Sequence, residues 1–432
     1  MLKSFQFLLW IGLLVSSQPA LSRDVPLEGY GYPITNPFEA TIAGTPAMLQ
    51  GLAGEKFSIK EKDYSLLLRP ERAFEVPDIF WPVKKFTYRL AYQPKAAPLI
   101  FIIAGTGSHY DNSLAEYLKR LFYKQGFHVV QLTSPTNYDF IVGASKHATP
   151  GISTEDAKDL YQVMQSIRAQ QHQLPVTDFY LTGFSLGALE AAFVSHLDET
   201  RQSFNFKRVM LLNTPVNLLT SVSNLDKLIT TQVEGIDDGT NFYQSIFDKL
   251  SKFFEQRGHV NFDAAMLFDF QQSKERLNNE QLAMLIGAAF RFASTDIVFT
   301  SDLVNNRGKI TPIGTQITYS THLEPFFRNA LKCDFICYVQ TQVIPLWHSL
   351  GGQGTIDDLA QSVSLYALED YLRNSPKIGA MHNADDIILG EGDLGFLRRT
   401  FGDRLTVYPL GGHGGNISYR VNSNDLVEFF RD

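Results

Sequence analysis

The spacing of apolar residues divides the chain into parts of different structure. From residue 98 to residue 212, short continuous apolar runs alternate with longer segments that have helical spacing. Continuous runs are typical of strands buried in a parallel sheet, and their alternation with helices indicates a sheet covered by helices. The strands predicted here are residues 98–104, 127–132, 177–182 and 208–212, and the helices are residues 113–124, 154–170 and 188–194.

Beyond Pro215 the strand pattern stops and apolar residues take helical spacing. One predicted helix there has an apolar face formed by Phe242, Ile246, Leu250, Phe253 and Phe254. Three more are predicted over residues 264–270, 281–292 and 356–373. Strand patterns return at residues 377–381 and 405–408, before a short helix at 424–430. The predicted fold class is α/β, a mostly parallel central sheet flanked by helices, with a mainly helical segment inserted after the strand that ends at Leu212.

The residues before this sheet are less regular. Residues 24–53 are rich in Gly, Pro and Thr, so we expect them to be irregular and to wrap the surface. Residues 56–68 and 86–92 have the alternation and the β-branched or aromatic content of strands. The predicted organisation is a leader (1–22), the first part of the sheet domain (23–219), a helical cap (220–355) and the second part of the sheet domain (356–432).

The first residues have the pattern of a secretory signal peptide. Lys3 supplies a positive charge, residues 5–15 are almost entirely apolar, and Ala20 and Ser22 are the small residues that signal peptidase favours. We expect cleavage before Arg23 and export to the periplasm or the extracellular space. Because the apolar run is short and no other long uncharged segment follows, no stable membrane span is expected after cleavage. An uncleaved N-terminal anchor is the alternative.

Net charge and cysteine content bear on nucleic-acid binding, disulfide formation and zinc binding. The formal net charge of −7 leaves no basic stripe, so nucleic acid is not expected as a partner. The two cysteines, Cys333 and Cys337, are four residues apart, which on a helix separates their Cα atoms by about 6 Å. A short-loop disulfide and two buried thiols both fit this spacing. No further Cys or His lies at ligand spacing, so a zinc site is not expected.

The segment Gly183-Phe184-Ser185-Leu186-Gly187 lies between a predicted strand and a predicted helix. A G-x-S-x-G segment in this place is typical of a nucleophile elbow, a strained turn that exposes the serine hydroxyl above the sheet edge. Glycines two residues before and after the serine allow strand and helix to approach closely. The pentapeptide is common by chance, and its position between strand and helix is what favours a nucleophilic Ser185.

A nucleophilic serine needs a general base, and the base needs a carboxylate that orients it. Of the ten histidines, His413 lies in the glycine-rich segment 411–415, after the last predicted strand. We expect its four neighbouring glycines to leave the imidazole free to reach across the sheet edge. Two acids, Asp385 and Asp386, follow the predicted strand that ends at Met381, so the chain order is Ser, Asp, His.

These residues and their order resemble the alpha/beta-hydrolase superfamily over about residues 86–432, apart from the helical segment. That family places its acid in a loop of the form x-x-Asp-x-Ile/Val-Ile/Val, which matches Asp385 followed by Ile387 and Ile388, with Asp386 as the alternative. Some members carry the acid after the strand that follows the serine, but Asn213 stands near that point here, without a carboxylate. The resemblance therefore implies a triad of Ser185, Asp385 and His413.

The resemblance also implies an oxyanion hole made of two backbone N–H groups. One is expected from Leu186, the residue after the nucleophile. The second is expected from the turn Gly105-Thr106-Gly107-Ser108, with Thr106 as the first candidate and Gly107 as the next. This turn lacks the glycine spacing of Walker and dinucleotide-binding loops, so a nucleotide cofactor is not expected.

These expectations combine into an exported serine hydrolase that cleaves a carboxylic ester or thioester through an acyl-enzyme, without a metal or organic cofactor. The apolar composition of the cap favours a small-molecule acyl substrate with an apolar chain. A peptidase or acyltransferase with the same triad, and a non-catalytic binding protein with the same fold, are the alternatives.

Overall fold

A single sheet organises the protein, whose computed structural model describes residues 21–72, 76–232, 249 and 270–431. The nine strands are β1 (Arg23–Asp24), β2 (Glu61–Leu66), β3 (Phe86–Ala91), β4 (Ala97–Ile103), β5 (His128–Leu132), β6 (Val176–Phe184), β7 (Arg208–Leu212), β8 (Ile378–Asn383) and β9 (Leu405–Tyr408). Their order across the sheet is β1-β9-β8-β7-β6-β4-β5-β3-β2. Of these nine, β3 alone runs against the others. The predicted alpha/beta-hydrolase fold class, a mostly parallel sheet flanked by helices, is confirmed.

Helices cover both faces of this sheet and fill most of the chain between β7 and β8. The described α-helices are α1 (Pro37–Ala43), α2 (Ser113–Lys124), α3 (Tyr138–Gly143), α4 (Ser153–Gln170), α5 (Leu186–Arg201), α6 (Leu218–Lys227), α7 (Asn279–Val304), α8 (Glu324–Leu331), α9 (Phe335–Tyr338), α10 (Ile344–Ser349), α11 (Ile356–Ser362), α12 (Glu369–Asn374), α13 (Asp393–Phe401) and α14 (Arg420–Arg431). The prediction for α2 matches the structure at both ends.

Alternate side chains of β4 pack into two separate apolar layers. Leu99, Phe101 and Ile103 face the layer that contains residues of α4 and α5. Ile100 and Ile102 face the opposite layer, which contains residues of α2 and α14. Because side chains of a strand alternate between faces, burial of both faces explains the continuous apolar run that predicted this strand.

The segment between β7 and β8 is helical where the structure describes it, but its details differ from the prediction. The single helix expected over residues 356–373 is wrong, because the chain forms α11, a short 3₁₀ helix and α12. The break is at Ser364, whose Oγ accepts the N–H of Leu218 at 3.2 Å. Leu365 N–H donates to Val216 O at 2.9 Å. This N–H group is therefore bonded to the chain after β7 and is not available to continue the helix.

Helix α7 is longer than predicted, extending to Val304 instead of residue 292. Among the described residues it is the one helix that is long and apolar enough to cross a membrane, yet 56% of its most apolar stretch is buried inside the protein. It therefore packs as an interior helix of this segment. The helix predicted around Phe242 to Phe254, and all but the last residue of the helix predicted at 264–270, lie outside the described residues.

The prediction that residues 24–53 are irregular is wrong in part. β1 pairs in parallel with β9 at the edge of the sheet, and Asn36 and Pro37 begin α1 as N-cap and first helical residue. Tyr30 and Tyr32 are buried in the core. Asn and Pro are turn residues as well as helix-start residues, so composition alone did not separate the two outcomes.

Cys333 and Cys337 are joined in a disulfide, with their Cα atoms 5.2 Å apart. This decides between the two states that the sequence left open. Asp334, between the two cysteines, caps α9 by accepting the N–H of Cys337 at 2.8 Å. The disulfide therefore closes the turn between α8 and α9.

Two carboxylic acids are buried on neighbouring helices, one on α5, which starts after Ser185, and one on α4. Glu190 of α5 is 1% exposed and Asp156 of α4 is 4% exposed. Burial raises the pKa of both carboxyls well above the ordinary range, and the charge of Asp156 raises the pKa of Glu190 further. Glu190 Oε2 has no hydrogen-bond partner in the described part of the chain. An ionised Glu190 is therefore costly to the fold.

We expect Glu190→Gln to raise the thermal unfolding temperature, and by more at higher pH. The folded protein binds this proton more tightly than the unfolded chain does, so stability falls as the pH rises above about 4.3, the ordinary pKa of glutamate. The fall ends above the raised pKa of the folded state. Glutamine has no proton to lose, so the variant avoids this fall in stability. Its unfolding temperature should therefore exceed that of the wild type by an amount that grows between about pH 5 and about pH 8, reaching about 2–5 °C in calorimetry.

Glu199→Gln on the same helix is the matched control. The hydrogen bond from Lys377 lowers the pKa of Glu199, so its contribution to stability is present at neutral pH and is lost as the pH falls. Its replacement should give no gain at about pH 8. An equal gain from Glu190→Gln at both ends of the pH range would contradict the burial argument.

Candidate active site

The turn after β6 holds Ser185 in a strained conformation. Its φ of 54° and ψ of −128° lie in a region that residues with a side chain rarely adopt. A Cβ atom at Gly183 would lie 2.1 Å from Gly187 O, and one at Gly187 would lie 2.3 Å from Ile103 O. Both positions therefore require glycine, as the sequence argument for the elbow expects.

His413 reaches Ser185 from the loop after β9. The Ser185 hydroxyl donates to His413 Nε2 at 2.8 Å. On the other side of the ring, His413 Nδ1 lies 3.0 and 3.1 Å from the two carboxylate oxygens of Asp386. With Nδ1–H donating to this carboxylate, Nε2 is left as the acceptor for the serine proton. The three side chains have the arrangement of a nucleophile, a base and an orienting acid.

The prediction that Asp385 orients His413 is wrong, since Asp386 occupies that position. Asp385 instead accepts the backbone N–H groups of Gly411 at 3.2 Å and Gly412 at 2.9 Å. It thereby holds the backbone of the loop that carries His413. Burial raises the pKa of Asp385, an increase that these two N–H groups oppose.

The turn after β8 places the two acids differently from the motif on which Asp385 was chosen. The predicted strand ends at Met381, but β8 continues to Asn383, whose buried side chain donates from Nδ2 to Gly412 O at 2.8 Å. The turn therefore begins two residues later than predicted. The second acid, Asp386, then enters the sheet edge beneath the histidine, and the first acid faces the glycines of the loop.

Asp386 is surrounded by donors. Besides the contact with His413, it accepts Asn213 Nδ2–H at 2.9 Å and the N–H of Ile388 at 3.1 Å. Burial would raise the pKa of Asp386, but the neighbouring His413 and His382 and the Asn213 hydrogen bond hold it below the ordinary value. The carboxylate is therefore charged at neutral pH, as an orienting acid must be.

Asn213 is a site residue that the sequence reasoning missed. It follows β7 with a φ of 46°, and its N–H donates to Met381 O at 2.9 Å. This left-handed conformation turns the chain at the sheet edge and brings the amide to Asp386. Asparagine is enriched in that region of φ and ψ, so an Asn directly after the strand was the available signal.

The structure separates the oxyanion-hole candidates. Leu186 is the first residue of α5, so its N–H has no partner within the helix. Thr106 lines the same cavity as Ser185. Gly107 is a wrong candidate, because its N–H donates to Thr136 Oγ1 at 2.8 Å and is not free to meet an oxyanion. Leu186 and Thr106 are the two that the geometry favours.

A cavity of about 910 Å³ contains Ser185 and His413 in its wall. One side is apolar and comes from α6 and α7, through Leu225, Leu285, Ile286, Ala289, Phe290 and Ala293. The rest of the lining comes from residues 41–45, from the apolar residues Leu114, Phe184 and Ile417, and from polar uncharged residues that include Gln50, Ser113, Tyr117 and Ser418. Among the described lining residues there is no Asp, Glu, Lys or Arg. Within the described ranges, no three His, Cys, Asp or Glu side chains are grouped so that they could hold a metal ion.

Solved structures that resemble the chain are distant from it in sequence. Carboxyl esterase 2 of the mycorrhizal fungus Tuber melanosporum is 14% identical, with 92% of this chain and 96% of that chain covered and a TM-score of 0.41. An esterase of Rhizomucor miehei is 14% identical, with 94% and 92% covered and a TM-score of 0.39. The hyperthermophilic esterase of the archaeon Pyrobaculum calidifontis is 15% identical, with 91% and 88% covered and a TM-score of 0.39. The sequence matches no family model and no curated protein. Similarity at this distance assigns no activity to the chain, so function rests on the site itself.

Proposed function

We propose that the protein is a serine hydrolase that cleaves a carboxylic ester or thioester through an acyl-enzyme. One observation carries this proposal: a continuous set of contacts runs from Ser185 Oγ through His413 to the buried Asp386, at the wall of a large cavity. A structural serine needs neither a strained backbone nor a histidine at 2.8 Å. The strained turn exposes the hydroxyl and the histidine can accept its proton, as a nucleophilic serine requires.

In the proposed first half-reaction, Ser185 Oγ attacks the carbonyl carbon of the substrate while its proton passes to His413 Nε2. The negative charge of Asp386 stabilises the resulting imidazolium through Nδ1–H, and the N–H groups of Leu186 and Thr106 stabilise the oxyanion. His413 Nε2 then gives the proton to the leaving alcohol or thiol. The bond between the carbonyl carbon and the leaving oxygen or sulfur breaks, and the acyl group remains on Ser185.

Water completes the proposed reaction by the same steps. It loses a proton to His413 Nε2 and attacks the acyl carbon, and the tetrahedral intermediate releases the acid. The proton on Nε2 returns to Ser185 Oγ as the acyl bond breaks. The enzyme is then restored without a metal or an organic cofactor.

The cavity supports an uncharged substrate with an apolar acyl chain. Its wall on α7 presents apolar side chains over more than two helical turns, from Leu285 to Ala293. A charged acyl or alcohol group would lose hydration there without meeting an opposite charge among the described lining residues. Neutral esters should therefore be preferred to esters with a charged group.

Export is part of the same proposal. The signal-like leader motivates it, and the Cys333–Cys337 disulfide supports it, because disulfides persist mainly in oxidising compartments. The mature chain is then expected to begin near Arg23.

A fluorophosphonate probe tests the proposed function on the protein purified from an exported fraction. The probe phosphorylates an activated serine, so we expect one equivalent of label on Ser185, located by peptide mass spectrometry, and none on Ser185→Ala. The intact mass should match a chain that begins near Arg23. Labelled protein should hydrolyse no neutral p-nitrophenyl ester, whereas unlabelled protein should. Absence of label, as expected for a non-catalytic binding protein, would contradict the triad.

A further inference from the structure

A segment between β1 and β2 contacts the loop that carries His413. We call residues 36–45, which include α1, the arm, and residues 411–415 the histidine loop. Thr41 Oγ1 accepts the backbone N–H of His413 at 2.9 Å and donates its own proton to Pro37 O at 2.7 Å. Thr45 Oγ1 donates to Gly415 O at 2.8 Å. The arm therefore binds the histidine loop at its centre and at its end.

The glycines of the histidine loop serve this contact. A Cβ atom at Gly412 would lie 2.1 Å from Pro37 O, and one at Gly415 would lie 2.0 Å from Ala40 O. The sequence suggested that these glycines leave the imidazole free to move. The structure shows that they let α1 approach the loop backbone, which restricts it. The loop is thus held from one side by Asp385 and from the other by the arm.

We propose that Thr41 is a positioning residue for His413 in the proposed reaction. Thr41 lies in the cavity wall, has no hydrogen bond to Ser185 among the described residues, and acts through the backbone of His413. The His413 N–H is fixed by this hydroxyl, and the ring is fixed by Ser185 and Asp386. Loss of the backbone contact leaves the imidazole free to shift relative to Ser185 Oγ. A shift of about 1 Å in such a group can lower the rate about a hundredfold.

Thr41→Val tests this inference, which rests on the proposed serine hydrolase activity. Valine keeps the shape and the β-branching of threonine and removes the acceptor. We expect kcat to fall about tenfold to a hundredfold for a small neutral ester with KM nearly unchanged, since the cavity keeps its shape. Labelling by the fluorophosphonate probe should slow by a similar factor. Thr41→Ser, which keeps the hydroxyl, should restore most of the rate.

Thr341→Val is the matched control, because the Thr341 hydroxyl donates to the carbonyl four residues earlier, as that of Thr41 does, and Thr341 is not among the described lining residues of the cavity. It should change kcat by less than about threefold. Equal rates for Thr41→Val and the wild type, or an equal loss in Thr41→Val and Thr41→Ser, would overturn the role of Thr41. If the wild-type protein is labelled on Ser185 in the same experiment, such an outcome overturns the role of Thr41 and leaves the proposed hydrolase activity standing. Wild type that does not label overturns both proposals, since there is then no activated nucleophile to align.

Discussion

Ser185→Ala is expected to lower kcat for ester hydrolysis by about 10⁵-fold to 10⁶-fold. The variant lacks the atom that forms the acyl bond, and water activated by His413 in the remaining oxyanion hole gives only slow hydrolysis. The hydroxyl lies at a cavity wall, and among the described residues its one side-chain hydrogen bond is with His413, so its loss costs little packing. We expect the thermal unfolding temperature to change by less than about 2 °C. Initial rates with a p-nitrophenyl ester and a calorimetric scan measure both quantities.

Ser418→Ala is a suitable control, because Ser418 lines the same cavity and is not among the described residues that hydrogen-bond to His413. Its kcat should stay within about threefold of the wild-type value. If Ser185→Ala kept wild-type turnover, the elbow serine would not be the nucleophile. If it lost activity together with its thermal transition, the loss would reflect unfolding rather than chemistry.

The elbow was predictable because its constraints are local. Gly183 and Gly187 are needed for contacts between a strand and the helix that follows it directly, and these contacts repeat wherever the turn occurs. The strands on either side were predictable for a similar reason. Burial of both sheet faces produces continuous apolar runs, as in β4. Sequence spacing therefore gives the fold class, Ser185 and the place of His413 in the chain order.

The other parts of the site depend on contacts between distant segments. The hydroxyl of Thr136 takes the N–H of Gly107, which excludes that residue from the oxyanion hole. Thr41 meets His413 across a separation of 372 residues. Neither contact leaves a periodic pattern or a local motif in the chain. A single sequence therefore shows which residue types are present, and the packing of the arm against the histidine loop determines what they do.

The motif that favoured Asp385 failed, because a motif of adjacent residues does not determine which of two neighbouring acids faces the imidazole. Asp385 and Asp386 point to different partners in the turn after β8, the first to the backbone of Gly411 and Gly412 and the second to His413. The ends of elements are less well determined by pattern than their interiors, because capping and tertiary contacts decide them. β8 extends to Asn383, which pairs with Tyr408 of β9 and whose side chain donates to Gly412 O and Asn416 Oδ1.

Asp386→Asn should lower kcat/KM by about 10⁴-fold, whereas Asp385→Asn should lower it by about tenfold or less. In Asp386→Asn the amide lacks the charge that stabilises the His413 imidazolium. Its NH₂ group can also donate to an unprotonated Nδ1, which favours the tautomer with the proton on Nε2 and leaves no acceptor for the Ser185 proton. In Asp385→Asn the remaining carbonyl oxygen can still accept one of the two N–H groups, from Gly411 or Gly412. The effect of Asp385 should therefore pass through the position of the loop and stay small.

Both variants need kcat/KM with a neutral ester and an unfolding temperature, because both remove a carboxylate that is at least half buried. Asp386→Asn should remain folded, since the amide oxygen can still accept one of the two donors, Asn213 Nδ2–H or the N–H of Ile388. The opposite order of activity, with Asp385→Asn the more damaged of the two folded variants, would make Asp385 the orienting acid and require the loop to rearrange when substrate binds. The expected order instead follows from charge and contact together. Asp386 is the carboxylate whose pKa is held low beside the imidazole, and Asp385 is the one whose pKa is raised by burial against the loop backbone.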